Sequence, residues 1–356
     1  MAVEPLLATR AQRAFIATIT IQAIVVLVMV AITFRLVQDK VDFTSNSGYR
    51  TIPCYLALFA LAEIFELLMA YDALRLRNVI QLVGILFFHL ACMVFAAVQV
   101  HQTHSALVTG SDSDCDASSP NLITCDVPGS LWRKIEPFLI VAPCVIAGSW
   151  LFMLFWIRQL YAEFGWAIFH IVGANPKMKT MYQYYQILIC LLKFDFFFFT
   201  AVTMQLLIVV LSRNTAEFGI TIAAIPIVLT LLALAAVAVQ REYKWLMSIS
   251  LVLMLAAETY FIYKLVRFYQ PASRDQYQTT RASLTIFTIV AFLILFATFA
   301  IGLKCFADFD RGLQSSKVHG GSYQLVARKP GALNGNMTER QSYNAGTTLG
   351  PRISIE

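Results

Sequence analysis

Six ionisable side chains lie within long apolar segments, and they are the residues best placed to do chemistry. An ionisable group inside a bilayer costs about 3 kcal/mol by insertion scales, so it usually faces other helices or a cavity. The four acids outnumber the lysine and the histidine, so some carboxyls must be protonated, hydrogen-bonded or bound to a cation. We therefore predict one intramembrane polar network made of Glu63, Glu66, His89, Lys193, Asp195 and Glu258.

This network has two interpretations, a pathway for protons or a cation and a buried set of contacts that fixes helix packing. Glu63 and Glu66 are three residues apart and share one helix face, and Lys193 is placed in the same half of the membrane, so a salt bridge to either acid is allowed. Lys193 and Asp195 are two apart and point about 200° away from each other. They cannot pair, and each needs a partner on a different helix.

Composition places the chain in the membrane. Of its 356 residues, 58% are hydrophobic and 13% charged, and the mean hydropathy is +0.68. A soluble domain of this length could not bury so much apolar surface in one core. The apolar runs are continuous and longer than the alternating strands of a barrel, which favours helices.

The apolar runs predict an all-α, polytopic transmembrane helix bundle of about eight spans within residues 14–303. Pro143 and Pro226 fall inside the fourth and sixth spans, where a kink is tolerated. No internal repeat of the transporter kind is visible. The predicted spans are 14–37, 51–71, 78–100, 135–157, 189–211, 218–239, 245–266 and 282–303.

Two cysteines predict the orientation of the bundle. Cys115 and Cys125 share the polar loop 101–134, whereas the other five cysteines lie in or beside spans. A disulfide between them requires an oxidising compartment, so the loop is predicted to be lumenal. Eight spans then place residues 1–13 and 304–356 in the cytosol. The second of these is polar and rich in Gly, Ser, Asn and Thr, and is predicted to be a disordered tail.

Other site types find little support in the sequence. The loop residues Asp112, Asp114 and Asp116 are spaced as in a calcium loop, but Ala117 and Ile123 stand where an EF-hand needs Gly and Glu. The net charge of +6 is scattered over span ends, which argues against nucleic acid. Motifs for phosphate, dinucleotide, zinc or serine chemistry are absent from the sequence. We therefore predict no enzyme, metal or cofactor; the partner is the lipid bilayer, and protein partners stay open.

Polar landmarks around the fifth span and just beyond the last span carry a family resemblance. The landmarks are Phe164-Gly165-Trp166, Gly173-Ala174-Asn175-Pro176, Tyr185-Gln186, Lys193-Phe194-Asp195, Gln205 and Gly312-Leu313. With these landmarks the chain resembles an uncharacterised fungal family of multi-pass Golgi apparatus membrane proteins. The resemblance implies a location in the Golgi membrane and carries no assigned activity.

The expected function is that of a non-enzymatic component of the Golgi membrane. The first alternative is a transporter of a small solute, cation or proton that uses the intramembrane acids. The second is a receptor of the seven-helix type, which the extra span disfavours. A retinal protein is disfavoured further, because Lys264 lies at the end of the seventh span and the eighth has no central lysine.

Overall fold

A computed structural model describes residues 7–41, 51–108, 115, 122–172, 176–210, 216–270 and 281–311. Within these ranges the chain forms eight helices and no strand, so the predicted all-α transmembrane bundle is confirmed. The helices are α1 (Arg10–Gln38), α2 (Thr51–Leu76), α3 (Val79–Leu107), α4 (Leu131–Val172), α5 (Pro176–Gln205), α6 (Ala216–Arg241), α7 (Lys244–Tyr269) and α8 (Arg281–Ala307). α5 continues into a π-helical turn, Leu206–Val210.

Helix length and composition match a bilayer. Seven of the eight helices contain a segment long and apolar enough to cross a membrane, and over the described residues α6 contributes a shorter apolar segment, Ile225–Arg241. A helix pairs its own backbone groups, which lipid cannot do for it. α4 runs on through Pro137 and Pro143 and α6 through Pro226, as helices in a membrane can when neighbours compensate for the lost donor.

Helix boundaries differ from the predicted spans around the fourth connection. α4 continues fifteen residues past the predicted end at 157, and α5 begins at Pro176 rather than at 189. The extension of α4 is stabilised by packing, since Leu160 and Phe164 are fully buried. It is also held by Glu163, whose carboxylate accepts hydrogen bonds from the Thr9 hydroxyl and the Gln12 amide at 3.1 and 2.6 Å. Hydropathy detects only the part of a helix that crosses lipid, so it missed this part.

The helices form two groups of four. In the first bundle, α1 and α3 each pack against both α2 and α4. In the second bundle, α5 and α7 each pack against both α6 and α8. The two bundles meet where α2 and α3 contact α5. α5 is thus the element of the second bundle that contacts the first most extensively.

Four phenylalanines form the core of this junction. Phe65 of α2 and Phe88 of α3 each lie 4.8 Å, centroid to centroid, from the ring of Phe197 on α5, and each lies 5.8 Å from Phe194. α3 can approach because of Gly84: an added Cβ there would lie 3.0 Å from a ring carbon of Phe194. Two of the phenylalanines that follow Lys193 thus form a packed contact between bundles, while Phe196 is 40% exposed toward the surroundings.

Candidate functional site

A buried polar cluster lies in the middle of the first bundle. Its centre is His89 of α3, which has no exposed surface, and Glu66 of α2, which is 1% exposed. The Nδ1 atom of His89 lies 2.5 Å from Oε1 of Glu66. On the other side of the ring, Nε2 lies 2.9 Å from the main-chain oxygen of Ile146 and 3.0 Å from Oγ of Ser149, both on α4. The histidine therefore links α2, α3 and α4.

The proton count of this cluster follows from its acceptors. A carbonyl oxygen can only accept, so the contact to Ile146 requires a proton on Nε2 of His89. The short contact to Glu66 then shares one further proton between a carboxyl and an imidazole nitrogen. Whichever atom holds it, the pair is neutral as a whole. That is the arrangement a low-dielectric interior tolerates best.

Glu63 extends the cluster to α1, the remaining helix of the first bundle. Nε2 of Gln22 on α1 donates to Oε2 of Glu63 at 2.6 Å, and both residues are at least 98% buried. Each of α1, α2, α3 and α4 thus contributes a polar group to this cluster. The two neighbouring acids have different partners, one an amide and the other an imidazole.

Lys193 belongs to a second cluster, at the junction of the bundles. Its Nζ forms an ion pair with Oδ2 of Asp72 on α2 and donates to Oε1 of Gln81 on α3 at 2.9 Å. The amide of Gln81 closes the triangle by donating to the same Asp72 oxygen at 3.0 Å. The expected salt bridge from Lys193 to Glu63 or Glu66 is therefore absent, and Asp72 takes their place.

The face on which each acid lies explains this correction. Phe65, Met69 and Asp72 recur at helical spacing on the side of α2 that meets α5. Glu63 and Glu66 lie on another side, toward α1 and α3. Asp72 lies one residue beyond the predicted end of the second span at 71 but within α2, which continues to Leu76. Helix packing brings it to the lysine.

A third cluster lies in the second bundle around Asp195. Its Oδ2 accepts from the hydroxyl of Thr298 on α8 at 2.6 Å, whereas its Oδ1 is buried with no hydrogen-bond partner among the described residues. Asp195 borders a cavity of about 60 Å³ whose described wall residues are otherwise apolar apart from Ser250. Glu258 of α7 is 8% exposed, and its Oε1 likewise lacks a partner in the described part of the chain.

The six predicted network residues therefore separate into three clusters. The first holds Glu63, Glu66 and His89, the second Lys193, and the third Asp195 with Glu258. The four packed phenylalanines of the junction lie between the two helix bundles. The sequence analysis did not identify the partners that are uncharged or that lie at the end of a span. These partners are Gln22, Asp72, Gln81, Ser149 and Thr298. For the two glutamines a signal was available, because each is an isolated polar residue in an apolar run.

The polar loop of the first bundle contains a disulfide. Sγ of Cys115 is bonded to Sγ of Cys125, with the two Cα atoms 5.5 Å apart. The acidic residues 112, 114 and 116 lie outside the described residues. Where the chain is described, no three His, Cys, Asp or Glu side chains are grouped to hold a metal ion.

Comparison with known proteins identifies a relative. Over 288 residues the chain is 28% identical to a UPF0658 Golgi apparatus membrane protein of Schizosaccharomyces pombe, covering 77% of this chain and 80% of the relative. The predicted family resemblance is confirmed. With its membrane-spanning helices, the chain is a multi-pass protein of the Golgi membrane. No family model and no solved structure matches it.

Proposed function

We propose that this Golgi membrane protein is a non-enzymatic membrane component whose buried ionisable groups serve to fix the packing of its helices. The supporting observation is that these groups bond across helices: α1 to α2 through Gln22 and Glu63, α2 to α3 through Glu66 and His89, and α5 to α8 through Asp195 and Thr298. Such contacts specify which helices are neighbours, as polar groups in a membrane bundle commonly do.

One arrangement could suggest an enzyme, and its geometry argues against one. Ser149, His89 and Glu66 stand in the order of a serine hydrolase triad, with contacts of 3.0 and 2.5 Å. In a triad the imidazole must accept the serine proton, but here Nε2 faces the carbonyl of Ile146, to which the serine also donates at 2.9 Å. Ser149 and His89 are therefore not arranged to transfer a proton from the serine hydroxyl to the imidazole. A fluorophosphonate probe, which labels activated serines, should therefore leave Ser149 unmodified.

A transporter of a cation or proton is the second candidate. The observation that favours it is the carboxylate of Asp195, which is 94% buried beside a cavity and has one oxygen without a hydrogen-bond partner among the residues that the structure describes. A cavity of this size has room for a water molecule or a small cation. Glu258, on α7 of the same bundle, would supply a second carboxylate.

Liposomes distinguish the two candidates. Purified full-length protein would be reconstituted with a pH-sensitive dye inside and driven by a proton gradient or by a potassium or sodium gradient. A packing role predicts that flux stays at the level of protein-free liposomes. Flux that is abolished by Asp195→Asn, and retained by Asp39→Asn at an exposed position, would show transport and refute the packing proposal.

A further inference from the structure

A polar cleft lies where α5 begins and α8 ends, at one end of the second bundle. It has a volume of about 590 Å³. Because both helices reach the end of their membrane segments there, the cleft lies at the level where lipid headgroups meet water. It is lined by Lys177, Met178, Thr180, Met181, Tyr184, Lys304, Asp308 and Arg311.

Among the described residues that line this cleft, the cations Lys177, Lys304 and Arg311 outnumber the single carboxylate of Asp308. Asp308 is only 7% exposed, and its side chain holds Arg311 at 2.9 Å and Lys304 at 3.9 Å. The side chains of Lys304 and Arg311 nevertheless remain 52% and 60% exposed, respectively. Asp308 therefore positions the cations while leaving their donors accessible to an external anion.

The segment that carries Asp308 and Arg311 is anchored from the other side. The main-chain N–H of Asp310 donates to Oε2 of Glu242 at 3.0 Å, and its carboxylate forms an ion pair with Lys244. Both partners lie at the turn between α6 and α7. Lys304 also lies 5.9 Å from the ring centroid of Tyr184. One wall of the cleft is thus built before any ligand arrives, which lowers the cost of binding.

The chemistry of the lining selects the ligand. Arginine presents a planar fork of donors that matches phosphate oxygens, and lysine adds a mobile positive charge. The hydroxyls of Thr180 and Tyr184 can donate to the same group, and Met178 and Met181 supply apolar surface for the attached carbon chain. We propose that this cleft binds the phosphate-bearing headgroup of an anionic membrane lipid. A cytosolic end of the bundle, as the loop cysteines predict, would face the leaflet in which such lipids are concentrated.

Native mass spectrometry of the detergent-purified full chain tests the proposal. The probe is a short-chain phosphatidylinositol phosphate, with phosphatidylcholine as the neutral comparison and inorganic phosphate as a competitor. We expect one saturable phosphatidylinositol phosphate per chain, weaker binding of phosphatidylcholine, and little displacement by inorganic phosphate. Full displacement by inorganic phosphate at equal concentration would assign the cleft to soluble phosphate and overturn the lipid proposal.

Two variants localise the binding. Lys304→Gln with Arg311→Gln should weaken lipid affinity at least about tenfold, because the double variant removes two charged hydrogen-bond donors to the phosphate. The matched control is Arg10→Gln with Arg158→Gln, which removes the same charge from exposed positions on the first bundle and should leave affinity unchanged.

Because removing both cations leaves Asp308 unpaired and could disturb folding, Thr180→Glu provides a second test. It keeps every ion pair and adds a repelling carboxylate to the lining, so it too should weaken lipid binding about tenfold or more. Wild-type affinity in a folded Thr180→Glu protein, or equal losses in the cleft and control variants, would refute the site.

Discussion

Lys193 on α5 forms an ion pair with Asp72 on α2, and the pair spans the contact between the two helix bundles. Its side chains are 28% and 34% exposed, so the pair is only partly buried. This ion pair adds a polar contact to a junction whose core is formed by phenylalanine rings. Since Gln81 of α3 forms hydrogen bonds with both partners, the polar contact also includes the third helix of the junction.

Replacing Lys193 with Met should therefore lower the free energy of unfolding by about 1–3 kcal/mol, between the values for exposed and buried pairs. A second change, Asp72→Asn, should restore part of the loss, because it removes the carboxylate left without its cation. A double-mutant cycle in detergent micelles measures this coupling. Glu63→Gln is the control, and its effect should add to that of Lys193→Met. Additive losses for Lys193 and Asp72 would contradict the pairing.

The buried pair of Glu66 and His89 should show stronger coupling. His89→Leu strands a carboxylate that is 1% exposed, so a loss of about 3–5 kcal/mol is expected. Combining it with Glu66→Leu should recover a substantial part, since two apolar side chains can replace a buried pair at little cost. Thermal unfolding of the purified variants provides the measurement. If the double variant is less stable than His89→Leu alone, the pair does not act as a unit.

Close approach of α3 to α5 makes Gly84 sensitive to size. A methyl group there would press on the Phe194 ring at 3.0 Å and on Sγ of Cys190 at 3.2 Å. We expect Gly84→Ala to cost about 1–3 kcal/mol through overpacking. Gly148 on α4 is the matched control, because an added Cβ meets nothing within 4 Å. Gly148→Ala should be neutral or stabilise its helix by up to about 1 kcal/mol. Equal effects at both glycines would rule out the steric explanation.

The orientation of the bundle can be tested with the N-glycosylation sequon Asn336-Met337-Thr338 and with the loop cysteines. Asn336 lies outside the described residues, in the predicted cytosolic tail. If both termini are cytosolic, glycosidase treatment should leave the gel mobility of the native protein unchanged. Maleimide labelling of Cys115 and Cys125 should require prior reduction. A glycan on Asn336 would place the tail in the lumen and reverse the assigned sides.

The amino-acid sequence alone determined that this protein lies in a lipid bilayer, and this environment in turn determined its fold class. Long apolar runs can satisfy their backbone groups in lipid only as helices, so the bundle and its approximate spans follow from local composition. The same local reasoning identified Glu63, Glu66, His89, Lys193, Asp195 and Glu258 as groups that need partners. A charge in an apolar run carries its energetic cost with it, wherever the neighbouring helices lie.

Tertiary structure alone decided which partner each group takes and how the bundle is divided. The contacts of Lys193 with Asp72 and of Glu63 with Gln22 join residues 121 and 41 positions apart. No spacing along one helix encodes them. They depend on how each helix is rotated about its axis, which is set by many weak packing contacts such as those of Gly84 and the four phenylalanines. For the same reason the extension of α4 escaped prediction, since packing against α1 stabilises it rather than its own hydropathy.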